Sequence, residues 1–69
     1  MFGTVTRLFH DKGFGFIRPA DDPGSRDIFF HCTALRALDF DDTLLERRVE
    51  FGTEMSPHGL RATNVQAAS

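Results

Sequence analysis

The hexapeptide Lys12-Gly13-Phe14-Gly15-Phe16-Ile17 sets two aromatic rings two residues apart behind a cation. Successive side chains of a β-strand point to opposite faces, so Phe14 and Phe16 share one face. The other face holds only Gly15 and Ile17. Turning both rings inward would leave that other face nearly bare, so Ile17 is expected inside and the rings outside. Exposed rings beside a cation suit stacking on nucleic-acid bases. The competing reading makes both rings core and the glycines marks of bulges or tight bends. These six residues alone do not decide between the two.

A second stretch tips the balance. In Asp27-Ile28-Phe29-Phe30-His31-Cys32, Ile28 and Phe30 share one strand face, and Phe29 and His31 share the other. An imidazole prefers partial exposure, so the His31 face is the wet one. Ile28 and Phe30 are then core, and Phe29 joins His31 outside. Both stretches repeat one pattern, with Phe14, Phe16, Phe29 and His31 outward and Ile17, Ile28 and Phe30 inward.

Other chemistry finds little support. His10, His31, Cys32 and His58 are scattered, and no pair has a recognised metal-ligand spacing. One cysteine, three histidines and ten acids always permit an imagined triad, but a chain this small offers no deep pocket for catalysis. Gly13-Phe14-Gly15 lacks the G-x-x-x-x-G-K-[ST] pattern of a phosphate loop. We expect no enzyme activity, no metal, no cofactor and no small-molecule substrate.

The elements that must position these residues are short. Phe2–Phe9 is rich in β-formers and reads as a first strand. His10-Asp11-Lys12-Gly13 reads as a hairpin connection. Phe14–Arg18 is the second strand and Asp27–Cys32 the third. Between them, Pro19 to Arg26 is a loop with two prolines and a Pro23-Gly24 turn pair. Thr33 to Leu38 suits one or two helical turns, with Thr33 as N-cap. Thr43-Leu44-Leu45-Glu46 fits a capping box, so a second short helix competes there with a loop; the loop is preferred. Arg47–Phe51 alternates charged and apolar residues and reads as the fourth strand. After a Ser56-Pro57-His58-Gly59 turn comes Leu60–Val65, with Leu60, Ala62 and Asn64 on one face and Arg61, Thr63 and Val65 on the other. Gln66 to Ser69 reads as a tail. Five short strands argue an all-β barrel or sandwich, and a chain this short closes more easily as a barrel, which also removes exposed edges.

The 69 residues form a single domain, 41% hydrophobic and 26% charged, which is ordinary globular composition. The lone Cys32 cannot form an intramolecular disulfide and fits a reducing compartment. No apolar run approaches the ~20 residues that span a bilayer, and no signal pattern opens the chain. A cytoplasmic protein without membrane partners is expected. The net charge of −2 argues mildly against nucleic acid, but Arg7 to Arg18 holds three cations against one acid. Seven of the eight cations are arginine, which can stack as well as pair.

Taken together, the two motifs resemble those of the cold-shock domain, the nucleic-acid-binding module of bacterial cold-shock proteins and Y-box proteins. Lys12–Ile17 is similar to its first ribonucleoprotein motif and Asp27–His31 to its second. The opening Gly3-Thr4-Val5 and the closing Ala62-Thr63-Asn64-Val65 also fit, so the resemblance spans roughly residues 2 to 66. It implies an all-β, five-stranded antiparallel OB-fold barrel with at most one or two short helical turns in residues 33–46. It further implies single-stranded RNA or DNA as partner. Phe14, Phe16, Phe29, His31 and Phe40 match base-stacking positions, and Lys12 matches a cation near the backbone path.

The departures matter as much. Arg7 stands where the family usually has a stacking tryptophan, Leu8 where it has a phenylalanine, and Phe9 where it has an asparagine. Thr6 replaces a lysine, Cys32 a stacking phenylalanine, His58 a loop arginine or lysine, and Glu46 a turn glycine. Arg7 can still stack on a base and contact phosphate; Cys32 cannot replace a ring. Stacking is worth ~1–3 kcal/mol per base, so affinity below that of a full aromatic set is expected. The resulting expectation is a low-specificity single-strand binder, acting as an RNA chaperone or a regulator of transcription or translation. Its contacts are Arg7, Lys12, Phe14, Phe16, Phe29, His31, Phe40 and His58. A monomer is favoured over a dimer. The alternative is a diverged barrel whose apolar face binds a protein partner or a second copy.

Overall fold

The computed structural model describes residues 1–20, 24 and 26–68. Asp21, Asp22, Pro23 and Ser25 of the expected loop, half of its Pro-Gly turn pair, and Ser69 lie outside the described residues. The strands are β1 (Phe2–Phe9), β2 (Phe14–Pro19), β3 (Ile28–His31), β4 (Arg48–Ser56) and β5 (Gly59–Ala67), with 3-10 turns at Cys32–Ala34 and Asp42–Leu44. They close into a barrel in the order β1-β2-β3-β5-β4, with β4 returning to β1. This is the expected all-β, five-stranded barrel. Four seams are antiparallel, but β3 meets β5 in parallel at Phe29 and Arg61.

The interior is filled by Val5, Ile17, Ile28, Phe30, Leu44, Val49, Phe51, Ala62 and Val65, all nearly sealed from solvent. Ile17, Ile28 and Phe30 are thus inside, as the alternation of β2 and β3 requires. Gly15 explains how the inner face of β2 is filled. A Cβ there would come within 2.5 Å of the Arg7 carbonyl oxygen and 2.9 Å of the Phe30 ring. The space a side chain would take belongs to Phe30.

Two bulges interrupt the alternation. In β1, Val5 pairs with Ile17 but Arg7 pairs with Phe16, so Thr6 is an extra residue. Such a residue turns everything after it to the other face. Gly3 and Val5 therefore point inward, Leu8 packs against the core, and Arg7 and Phe9 point out. In β5, Asn64 and Val65 together oppose Phe51, and Asn64 takes a left-handed φ of 49°. This corrects the simple alternation of β5: Val65 is buried with Ala62, while Leu60 and Asn64 are exposed.

The ends of several elements also differ from expectation. The fourth and fifth strands run further than their alternation suggested, because Gly52 to Ser56 pairs with Gly59 to Thr63 as a long hairpin. The supposed tail contributes Gln66 and Ala67 to β5, opposite Glu50 and Val49. The helical segment after β3 is a single 3-10 turn that starts at Cys32, one residue before Thr33. Its cap is His31, whose ring accepts the Thr33 N–H, so Thr33 is not the N-cap. The Thr43–Glu46 capping box does not form either. Asp41 caps a 3-10 turn two residues earlier, and Glu46 leaves it in the left-handed region at φ 65°.

Candidate nucleic-acid interface

β2 and β3 pair without a register shift. Phe14 lies opposite His31 and Phe16 opposite Phe29, which places these four side chains on one outer face. The bulge at Thr6 brings β1 onto the same face, with Arg7 opposite Phe16 and Phe9 opposite Phe14. The bulge is braced from outside: the Thr6 hydroxyl donates to Asp27 Oδ2 at 2.8 Å, and the Arg18 guanidinium pairs with the same carboxylate at 3.6 Å. One hydroxyl thereby ties β1 to the start of β3 across β2.

The result is a cluster of four rings. Phe9 stacks on Phe14 at 4.9 Å between centroids, and Phe14 lies 5.2 Å from Phe29 at a tilt of 41°. Phe16 meets Phe9, Phe14 and Phe29 edge-on at 6.0 to 6.1 Å. Edge-to-face and offset contacts of this kind are favourable for aromatic pairs. They also hold the rings in place, so ordering them on a ligand costs little. Phe14, Phe16 and Phe29 are half-buried and Phe9 is exposed.

The polar residues stand around this cluster. Gly13, at φ 72°, closes the hairpin; its N–H and that of Lys12 both donate to the Phe9 carbonyl. This holds Lys12, exposed, beside Phe14. The Cys32 N–H bonds the Gly13 carbonyl at 2.8 Å and pins the hairpin to the end of β3. His31 is exposed, with Nδ1 accepting the Thr33 N–H at 3.2 Å and lying 2.9 Å from the Thr33 hydroxyl. With Nδ1 as acceptor, the neutral ring carries its proton on Nε2, the edge left for a ligand. Cys32 is half-buried, its Sγ 3.9 Å from His31 Nδ1. His58 is exposed in the β4–β5 turn and borders a groove with Phe29, Leu60 and Arg61.

The structure therefore brings Arg7, Lys12, Phe14, Phe16, Phe29 and His31 together, with His58 at the margin. Phe40 stands apart. It packs edge-on against the buried Phe30 at 6.4 Å and against His10 at 5.5 Å, outside the four-ring cluster. Phe9 is the residue that sequence reasoning missed. Read through an unbroken β1, it shares the parity of buried Val5. The available signal was Leu8, which continues the inward pattern only if β1 carries an extra residue.

No helix among the described residues is long and apolar enough to cross a membrane. Residues 1–68 match the family described as the 'Cold-shock' DNA-binding domain. The chain is 43% identical over 67 residues to Cold shock-like protein CspI of Escherichia coli (strain K12), covering 97% of this chain and 93% of that one. It is also 43% identical over 63 residues to the Major cold shock protein of Micrococcus luteus, covering 91% of each. A solved structure described as drosophila Unr CSD456 matches with a TM-score of 0.75 and 26% identity, over 99% of this chain and 26% of that longer one.

Proposed function

This chain belongs to the cold-shock domain family, whose members bind single-stranded nucleic acid and are not enzymes, and from that premise we propose that it binds single-stranded RNA or DNA by stacking bases on the Phe9, Phe14, Phe16 and Phe29 face. The observation that carries this reading is the four-ring cluster on a solvent-facing sheet surface. A soluble barrel gains nothing from exposing such a patch unless something covers it. Every base presents a π-face, so recognition by stacking is sequence-tolerant. A binder of that kind keeps transcripts unpaired without an energy source, which suits an RNA chaperone or a regulator of transcription or translation.

Arg7 and Lys12 supply phosphate contacts at one margin, and His31 stacks at the end of β3. His58 lies beside the groove at Phe29 and contacts the strand there. Phe40, held on Phe30 and His10, contributes to binding only through the loop it anchors. The acidic balance of the chain limits how many phosphates it neutralises, so the salt dependence is shallow. The chain acts as a monomer in the cytoplasm, where Cys32 remains a thiol.

The test is fluorescence anisotropy with labelled heptamers of RNA and DNA, an external label being required because the chain has no Trp or Tyr. Phe14→Ala with Phe29→Ala should abolish binding while the barrel stays folded by circular dichroism. A wild-type chain that binds no single strand at micromolar concentration sinks the proposal and favours a protein partner for the same face.

A further inference from the structure

Beyond β3 the platform opens into a groove between the 3-10 turn and β5, bordered by His31, Thr33, Arg36, Arg61, Thr63 and Asn64. His31 belongs to both, since it sits opposite Phe14 on the ring face and lines the groove. A strand that crosses the platform and passes His31 therefore enters this groove.

What distinguishes the groove is how Arg36 is held. The segment after the 3-10 turn lies along β5 as a short parallel extension: Leu35 bridges to Val65, and the Arg36 N–H donates to the Val65 carbonyl at 2.7 Å. The β5 bulge, with Asn64 at φ 49°, then sets the Asn64 carboxamide against the arginine. Arg36 Nε donates to Asn64 Oδ1 at 3.1 Å. The guanidinium is fixed through its backbone and through Nε, while its two terminal nitrogens make no hydrogen bond or ion pair among the described residues. Those nitrogens form the fork that suits a phosphate oxygen pair. Arg61 lines the same groove but is paired with Glu54 through both Nε and Nη2, so it is already neutralised.

We propose that Arg36, oriented by Asn64, is a backbone-phosphate site for the part of a bound single strand that extends past His31. The ligand is a phosphodiester of the same RNA or DNA strand, and the inference rests on the function proposed above. It makes the footprint longer than the ring platform alone. The site is electrostatic, so it adds affinity without base preference.

The experiment compares oligo-dT of about four and about ten nucleotides, within the span of single OB-fold sites. Wild type, Arg36→Ala and Asn64→Gly are titrated across a salt series, with thermal melts as controls. Asn64→Gly removes the acceptor but keeps the left-handed backbone. Arg36→Ala should leave the short strand unaffected, weaken the long strand about three- to tenfold, and reduce its salt slope by roughly 0.7. Asn64→Gly should lie between the two. Loss of affinity equal on both lengths, or none on the long strand, overturns the inference alone. A wild type that binds neither length overturns the proposed function and this inference with it.

Discussion

Phe9 stacks on Phe14 across the β1–β2 hairpin, with centroids 4.9 Å apart and planes at 28°. The contact exists because Thr6 is bulged out of the ladder, which turns Phe9 onto the face it would otherwise avoid. The consequence bears on affinity. Arg7 and Cys32 stand where the resemblance implies two stacking rings, and Phe9 supplies a ring at the β1 margin. Phe9→Ala is expected to weaken heptamer binding roughly five- to a hundredfold, the range of one lost stacking contact. Its melting temperature should fall by only a few degrees, because the ring lies at the surface and loses only its contacts with Phe14 and Phe16. Unchanged or tighter binding would mean that Phe9 only covers Phe14 and must move aside for the ligand.

The contrast between Phe29 and Phe9 explains what could be read in advance. β2 and β3 pair residue for residue, so period-two alternation assigned Phe14, Phe16, Phe29 and His31 to the correct face. β1 and β5 each contain a bulge, and alternation counted through a bulge inverts. Counted through the bulge, Phe9 falls on the inner face of β1, and Asn64 and Val65 exchange faces in β5. The turn caps failed for a different reason. Thr33 and Thr43 are good cap residues, but His31 and Asp41, two positions earlier, capture their N–H groups. Phe40 matches a base-stacking position in sequence, and nothing local reveals that Phe30 comes up beneath it. Long-range packing of that kind leaves no mark on neighbouring residues.

Gly15 sets the height of the platform above the core. A methyl group there would meet the Arg7 carbonyl oxygen at 2.5 Å, and backbone cannot swing away as a side-chain tip can. Gly15→Ala should therefore separate β1 from β2 or push Phe30 from its place. The expected cost is about 1–3 kcal/mol or more, a large share of the stability of so small a domain. Urea unfolding followed by circular dichroism gives the number, and a neutral result would contradict the tight packing described.

Glu46 offers the opposite opportunity. It holds a left-handed backbone at φ 65° while its N–H donates to the Val5 carbonyl at 2.7 Å. A residue with a Cβ pays roughly 1–2 kcal/mol for that conformation, whereas glycine adopts it freely. Glycine also loses more entropy on folding, which takes back part of the gain. Glu46→Gly should stabilise the barrel by up to about 1 kcal/mol, a rise of a few degrees in melting temperature. Oligonucleotide affinity should not fall, since the change deletes a negative charge.

Asp41 makes stability depend on acid. Its carboxylate accepts both the hydroxyl and the N–H of Thr43, and these bonds, helped slightly by nearby His10, hold the carboxyl below its usual range. The folded state thus binds this proton less readily than the unfolded chain. The stabilisation is fully present above the ordinary aspartate value, about 4, and disappears as pH falls through the lower folded value. Asp41→Ala should destabilise the barrel at neutral pH, and the gap to wild type should close in acid. Paired thermal melts from pH 7 down to about pH 2 would show it. A gap that stays constant over that range would mean that the turn over Asp42–Leu44 does not rely on the Asp41 charge.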